Sequence, residues 1–360
     1  MKFLVLFVAI SFTSAAEPLK VTLVNPSIPG TPFWDRVTAV AYAAAEDLNI
    51  ELSVVYGRDN RIFNHKTIEK IAAQPQKPDF VVFMPYGGNA KHSFAALNQA
   101  KIPFVTMERT LHKSEQKLVG LPQEKFQFWF GEIYHDNVQA GRLLATTLVE
   151  KAMKLQGNNT FTAIGISGSH SGESDERVEG LKSGLSAFDN VSLLQVVPGG
   201  WSRERGRDII HQLSSRYGEI NIAWTASDGM ALGVLDSVTS VHSPVKHRIM
   251  VGGIDWTIEA IKRIQTGEMA ASVGGHFMQA AWALVKIYDH ANKHQVFGKE
   301  EFNTSYPLAV ITGENVSDYL ILAEQVDWQK VNFKAFTLSH SKSRKRYRFE
   351  FSRVLNQLHH

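Results

Sequence analysis

The stretch Ile102-Pro103-Phe104-Val105-Thr106-Met107-Glu108-Arg109 decides the fold. It reads as a short buried strand that ends in a carboxylate beside a guanidinium. In an open parallel sheet the carboxyl end of a strand faces the ligand crevice. Such a strand delivers an acceptor and a fork of donors to one spot. That suits a polar ligand with many hydroxyls better than a bond-breaking reaction.

Working outward, strand-like and helix-like segments alternate. Residues 19–25 and 50–56 are strand-like, and Phe80-Val81-Val82-Phe83-Met84 is a further buried strand. Helical spacing runs through 33–49, where Val37, Val40, Ala41, Ala44 and Leu48 share a face, and through 64–73 and 90–101. The pattern then restarts. Helices are expected at 138–154, 174–188 (with Ser174 as N-cap), 203–217, 230–238, 258–266 and 278–292, the fifth ending at Gly267. Strands are expected at 160–166, 191–197, 222–225, 248–254, 270–274 and 307–311. This βαβ repetition predicts an α/β chain of two doubly wound lobes with parallel sheets and right-handed crossovers.

The length of 360 residues agrees with two lobes. Apolar residues at 44% and charged residues at 20% are ordinary for a globular protein. A net charge of +3 gives no reason to expect nucleic acid as a partner. With no cysteine, thiol chemistry, thiolate metal sites and disulfides are excluded. At the N-terminus, Lys2, the apolar run from Phe3 to Ile10 and the small residues Ser14-Ala15-Ala16 have the order of a secretory signal peptide cleaved before Glu17. The apolar run is short for a bilayer span, which needs roughly 20 residues. The mature chain is therefore expected in the periplasm.

Catalytic motifs are missing. No G-x-S-x-G elbow occurs, and the loop from Gly165 to Gly172 has neither dinucleotide spacing nor a Walker lysine. The histidines are scattered without metal spacing, and His65, His92 and His112 read as surface residues. No enzyme activity, cofactor or metal is expected.

Six motifs in order carry a resemblance: Thr31-Pro32-Phe33-Trp34, the opening stretch, His135-Asp136-Asn137-Val138-Gln139-Ala140-Gly141, Glu176-Arg177-Val178-Glu179-Gly180, Ser227-Asp228-Gly229-Met230-Ala231-Leu232-Gly233, and Val251-Gly252-Gly253-Ile254-Asp255. Together they resemble a type I periplasmic binding protein of the ribose and galactose group, whose fold is shared with the ligand domain of lactose-type repressors. The signal peptide stands where a repressor has its helix-turn-helix. The resemblance implies residues 17–134 plus 276–306 as one lobe and 135–275 plus 307–335 as the other. Three crossings would fall near 134–136, 274–276 and 306–312, with 336–360 left as a basic tail.

It also implies a ligand set. Phe33 and Trp34 match the family's stacking aromatics, and Glu108 and Arg109 its hydroxyl-binding pair. Arg177, Trp201, Asp228 and Asp255 match second-lobe ligand positions, and His135 stands where a small polar residue is usual. Each has a plainer alternative: core packing for the aromatics, a surface ion pair for Glu108 and Arg109, a solvated helix face for Arg177, an N-cap for Asp255. The chemistry favours a sugar, because aromatic rings cover its C–H faces and charged groups bind its hydroxyls. Glu108 replaces an aspartate, Thr31 and Ser227 replace asparagines, and Gly275 stands at a common glutamine position. Autoinducer receptors of this fold also carry a tryptophan and an arginine where Trp34 and Arg177 stand, so a furanosyl signal stays open beside a nutrient sugar. The implied partner of a monomeric receptor is an inner-membrane permease or a membrane sensor. The tail, Lys342 to Arg348 followed by Phe349, Phe351 and Val354, reads as a solvated end or a contact for anionic lipid.

Overall fold

The computed structural model describes residues 17–111, 113–157, 159–170, 172–238, 249–297, 302–341 and 346–359. The expected signal peptide at 1–16, His112, the start of the strand expected at 248 and residues 342–345 of the basic run lie outside them.

Two six-stranded sheets form two lobes. The first lobe is built from β1 (Leu19–Asn25), α1 (Pro32–Asp47), β2 (Ile50–Tyr56), α2 (Arg61–Ala72), β3 (Phe80–Phe83), α3 (Ala90–Gln99), β4 (Phe104–Met107), α4 (Lys113–Val119) and β5 (Trp129–His135). The second follows with α5 (Asn137–Gln156), β6 (Phe161–Ser167), α6 (Gly172–Leu185), β7 (Val191–Pro198), α7 (Arg203–Tyr217), β8 (Ile222–Thr225), α8 (Asp228–Val238), β9 (Met250–Ile254), α9 (Ile258–Gln265) and β10 (Ala271–Gly274). The chain then crosses back through α10 (Gln279–Ala291) and β11 (Asn303–Tyr306), and crosses again into β12 (Ala309–Thr312). Sheet orders are β11-β5-β4-β3-β1-β2 and β12-β10-β9-β8-β6-β7. Every pairing is parallel except β12 on β10.

The central strands β3, β4, β8, β9 and β10 are buried at every position. That is why they are continuous apolar runs: helices cover both faces of a parallel sheet. In the second lobe the cover is very close. A Cβ on Gly141 of α5 would lie 2.0 Å from the Arg177 carbonyl of α6, and one on Gly180 of α6 would lie 2.1 Å from the Val138 carbonyl of α5. Only glycine lets these two helices approach so far.

Strand order reverses beside β1 in the first lobe and beside β6 in the second. Ligand crevices form at such switch points, outside the carboxyl ends of the strands. Here both switch points open into the same cleft.

Several expectations are corrected. Ser174 lies inside α6, which starts at Gly172 with Glu173 and Asp175 in its first turn. Thr257, not Asp255, caps α9, accepting from the Ala260 N–H at 3.3 Å. The single late strand is two, β11 in the first sheet and β12 in the second, while β5 and α4 were not anticipated. Residues 307–335 do not all belong to the second lobe. Gln329 bonds Glu46 at 2.6 Å, the Lys334 N–H bonds Asp47 at 2.9 Å, and Phe336 packs on Trp282, which returns the chain from Trp328 onward to α1 and α10. The tail is not simply solvated, because Phe351–Leu358 forms an amphipathic helix that buries Val354, Leu355 and Leu358. We call it α12, after the single turn α11 (Val316–Tyr319).

Candidate functional site

A cavity of about 1120 Å³ lies between the lobes. Its first-lobe wall comes from the loops after β1, β3 and β4, and its second-lobe wall from the loops after β6, β7, β8 and β9. Four of its lining residues, Asp59, Glu108, Trp201 and Asp255, have positive φ, of 52°, 71°, 65° and 140°. Non-glycine residues held this way cost about 1–3 kcal/mol each and cluster at functional sites. Here the backbone bends where each of these strands and loops meets the cleft.

Arg177 is the centre of the site. Its side chain is 3% exposed and bonds the Asn137 amide oxygen at 2.8 Å, the Ala226 carbonyl at 2.7 Å and His135 Nε2 at 3.2 Å. It crosses the cleft to Glu108 at 3.8 Å. Glu108 also accepts a short hydrogen bond from Gln279. Burial pushes the Glu108 carboxyl up to about 7, with Arg177 and Gln279 acting against that rise. Asp255 lies 3.3 Å from His276 Nε2, and burial raises its carboxyl too. Burial drives His135 and His276 well below the usual imidazole range, so both are neutral at neutral pH.

Phe33 and Trp34 enter from the first turn of α1 in an edge-to-face pair, with centroids 5.2 Å apart. Phe33 lies against His276 at 4.6 Å, and His276 against His135 at 4.5 Å. One face of Phe33 is therefore covered by protein, which leaves Trp34 as the freer stacking surface. Trp201 lies under Arg177, whose guanidinium carbon is 5.6 Å from the ring centroid. A Cβ on Gly168 would meet the same indole at 2.0 Å, so this glycine makes room for the tryptophan.

Phe33, Trp34, Glu108, Arg109, Arg177, Trp201 and Asp255 all line the cavity. Two expected residues do not. Asp228 is fully buried, accepting from Ser272 at 2.7 Å and from the Thr257 N–H at 2.8 Å, so it braces the wall from within. His135 lies behind His276. Arg109 has a partner other than a ligand, an ion pair with Glu173 across the cleft. Sequence reasoning missed Glu173, Gln279 and His276. Gly275 had been singled out as unusual, and the cleft residue is its neighbour.

Glu108, His135 and His276 place ligand-type atoms within 4.8 Å of one another, the one such group among the described residues. The Arg177 guanidinium is hydrogen-bonded to one member and paired with another, so the cluster already holds a fixed cation, and a metal ion would sit beside it. Buried polar atoms without a protein partner gather here: Arg109 Nε, Glu173 Oε2, His135 Nδ1, His276 Nδ1 and Gln279 Oε1. Such atoms are rare, and they concentrate at sites with a role beyond folding.

Residues 21–295 match the family model described as a periplasmic binding protein domain. The chain belongs to this family. The ribose import binding protein of Salmonella typhimurium is 24% identical over 309 residues, covering 85% of this chain and 95% of that one. Among solved structures, a periplasmic sugar-binding protein from Pseudomonas fluorescens superposes with a TM-score of 0.82 at 22% identity, covering 93% of this chain and 99% of that one. A periplasmic solute-binding protein of an ABC transporter from Actinobacillus succinogenes, with bound D-allose, gives 0.73 at 18% identity, covering 84% and 100%. These likenesses agree with the two-lobed type I fold described above. No helix among the described residues is long and apolar enough to cross a membrane.

Proposed function

We propose that this chain is a periplasmic receptor that captures a small, neutral, hydroxyl-rich sugar or polyol between its lobes and presents it to an ABC-type importer in the inner membrane. One observation carries the ligand class: Glu108, Arg177 and Asp255 converge from two lobes on one cavity beside the Trp34 ring. A polyol hydroxyl donates to a carboxylate and accepts from a guanidinium, so it satisfies both signs at once. A hydrophobic ligand would leave these charges dry and unpaired, at several kcal/mol per ion. A dicarboxylate would face both acids with Arg177 as its main counter-charge. The names of the similar proteins, a ribose import protein and an allose-bound transporter component, favour transport over signalling.

Binding without turnover is the activity this set supports, since its polar groups are matched to hydroxyls. Calorimetry against pentoses, hexoses, inositols, furanosyl signals, amino acids and dicarboxylates tests the reading. Micromolar or tighter binding of a sugar or inositol, unchanged on recovery, is expected. Binding confined to amino acids or dicarboxylates would refute the ligand class. A deletion strain that imports the sugar normally yet fails to respond to it would replace the importer with a sensor.

A further inference from the structure

Asp255 reaches the cleft from a turn that would not hold itself. Both Asp255 (φ 140°) and Trp256 (φ 56°) have positive φ without being glycine. Trp256 is fully buried behind the cleft wall and is gripped from every side. Its indole N–H donates to the Ser272 carbonyl at 3.0 Å, and its backbone N–H to the Ser272 hydroxyl at 3.2 Å. Its carbonyl accepts from Arg36 of α1, which reaches over from the first lobe. The indole lies so close over Gly274 that a Cβ there would be 2.4 Å away. Two edge-on rings close the cage: Tyr319 at 5.0 Å and Phe351 at 5.1 Å.

Phe351 is the first residue of α12. It also packs on Phe277, in the second crossing, at 5.4 Å. Helix α12 is itself anchored on both lobes. Gln357 accepts from the Asn332 N–H at 2.7 Å on the first-lobe side, and His359 bonds the Asp318 carbonyl at 2.8 Å beside α9. The C-terminal helix thus seats one ring between the hinge and the tryptophan behind a cleft carboxylate. We propose that Phe351 is a positioning residue of the ligand site: its ring fixes the Trp256 indole, and the indole fixes the strained turn that aims Asp255 into the cleft. This rests on Asp255 meeting the ligand, as proposed above. A cleft residue is only as well placed as the residues that lock it.

The test compares two phenylalanines of the same segment. Phe349 stacks on Trp282 at 4.6 Å and on Tyr347 at 4.9 Å, whereas the rings against Trp256 are Tyr319 and Phe351. Phe351→Ala should weaken binding of the sugar found by calorimetry about tenfold or more, and Phe351→Tyr should restore it. Phe349→Ala should lower the melting temperature and leave affinity within about twofold of wild type. In an Asp255→Ala background, Phe351→Ala should change affinity no further, because its effect passes through that carboxylate. Equal losses for both phenylalanines, or a full additional loss in the Asp255→Ala background, would overturn the proposal. If no sugar binds the wild type, the ligand reading fails by itself. The positioning claim is then read from hydrogen exchange of the Asp255 and Thr257 amides, which bond Val273 and Asp228. Faster exchange in Phe351→Ala than in Phe349→Ala supports it, and equal exchange refutes it.

Discussion

Glu108, proposed above to bind the ligand, shows how such a residue differs from a stabilising one. Its carboxyl is pushed up to about 7, chiefly by burial, against an ordinary value of 4.5. Between those values the folded chain keeps a proton that the unfolded chain has lost, so folding stability falls as pH rises through the window. His135 and His276, driven down, act in the opposite direction, and their contribution is complete only about one pH unit above the ordinary imidazole value of 6.5. Over about pH 6.5 to 8 the rising term from the two histidines therefore offsets the falling term from Glu108, and only a variant of Glu108 isolates its share. Glu132, also raised to about 7 by burial, adds to the falling term. Glu108→Gln is expected to gain thermal stability relative to wild type as pH rises from about 6 to 8, and to bind sugar roughly 1.5–3 kcal/mol more weakly, the range for hydrogen bonds to charged groups. Melting curves of both proteins across that range, with calorimetry at its upper end, check it. A difference in melting temperature that stays constant with pH would show that Glu108 does not titrate there. The family resemblance implies Arg109 as a hydroxyl binder beside Glu108. Nothing in sequence shows that its guanidinium faces Glu173 from the other lobe, since that meeting depends on the angle between the lobes.

At the scale of elements, the parallel strands and most helices were legible because each buries a continuous apolar run or a single helical face. The helix at 203–217 and the strand at 222–225 fall where periodicity puts them. Errors came where tertiary contact decides. Strand β5, Trp129–His135, contains Gly131, Glu132 and His135, and looks too polar for a buried strand until β11 pairs beside it. Helix α12 follows a basic run that resembles a tail, and its face becomes visible only against the hinge it covers. The family resemblance implies Asp228 as a ligand position. Its acceptors instead brace Ser272 and Thr257, a demand created by β10 and α9. The Gly141–Gly180 crossing yields a prediction at this scale. Gly141→Ala forces a methyl to within 2.0 Å of the Arg177 carbonyl, and backbone cannot swing aside. Overpacking of this kind costs about 1–3 kcal/mol, occasionally more. Urea denaturation should show that loss, and sugar affinity should fall with it, because α6 carries Arg177. A loss of stability with affinity unchanged would mean that Arg177 is held by its own hydrogen bonds rather than by helix packing.

At the scale of the molecule, the consecutive residues Glu108, Arg109 and Thr110 of the first lobe meet Arg177, Glu173 and Glu176 of α6 in the second. Arg109 pairs with Glu173, the Thr110 hydroxyl bonds Glu176 at 2.8 Å, and Glu108 faces Arg177 at 3.8 Å. These contacts tie the two lobes along one edge of the cleft. Arg109 and Glu173 are 12% and 6% exposed, so their attraction is less screened than that of a surface pair. A receptor latched in this way populates its binding-competent arrangement before the sugar arrives, and the apparent affinity scales with that population. Glu173→Gln together with Thr110→Ala removes two of the three ties and leaves Glu108 and Arg177 in place. The ligand-free double variant should then have a larger radius of gyration by small-angle scattering than ligand-free wild type. Saturating sugar should bring both to the same compact value, and affinity should fall about 3- to 10-fold, the cost of closing a more open population. If the two ligand-free proteins scatter identically, the ties do not control closure. An affinity loss without a change in radius would assign Glu173 to the ligand itself.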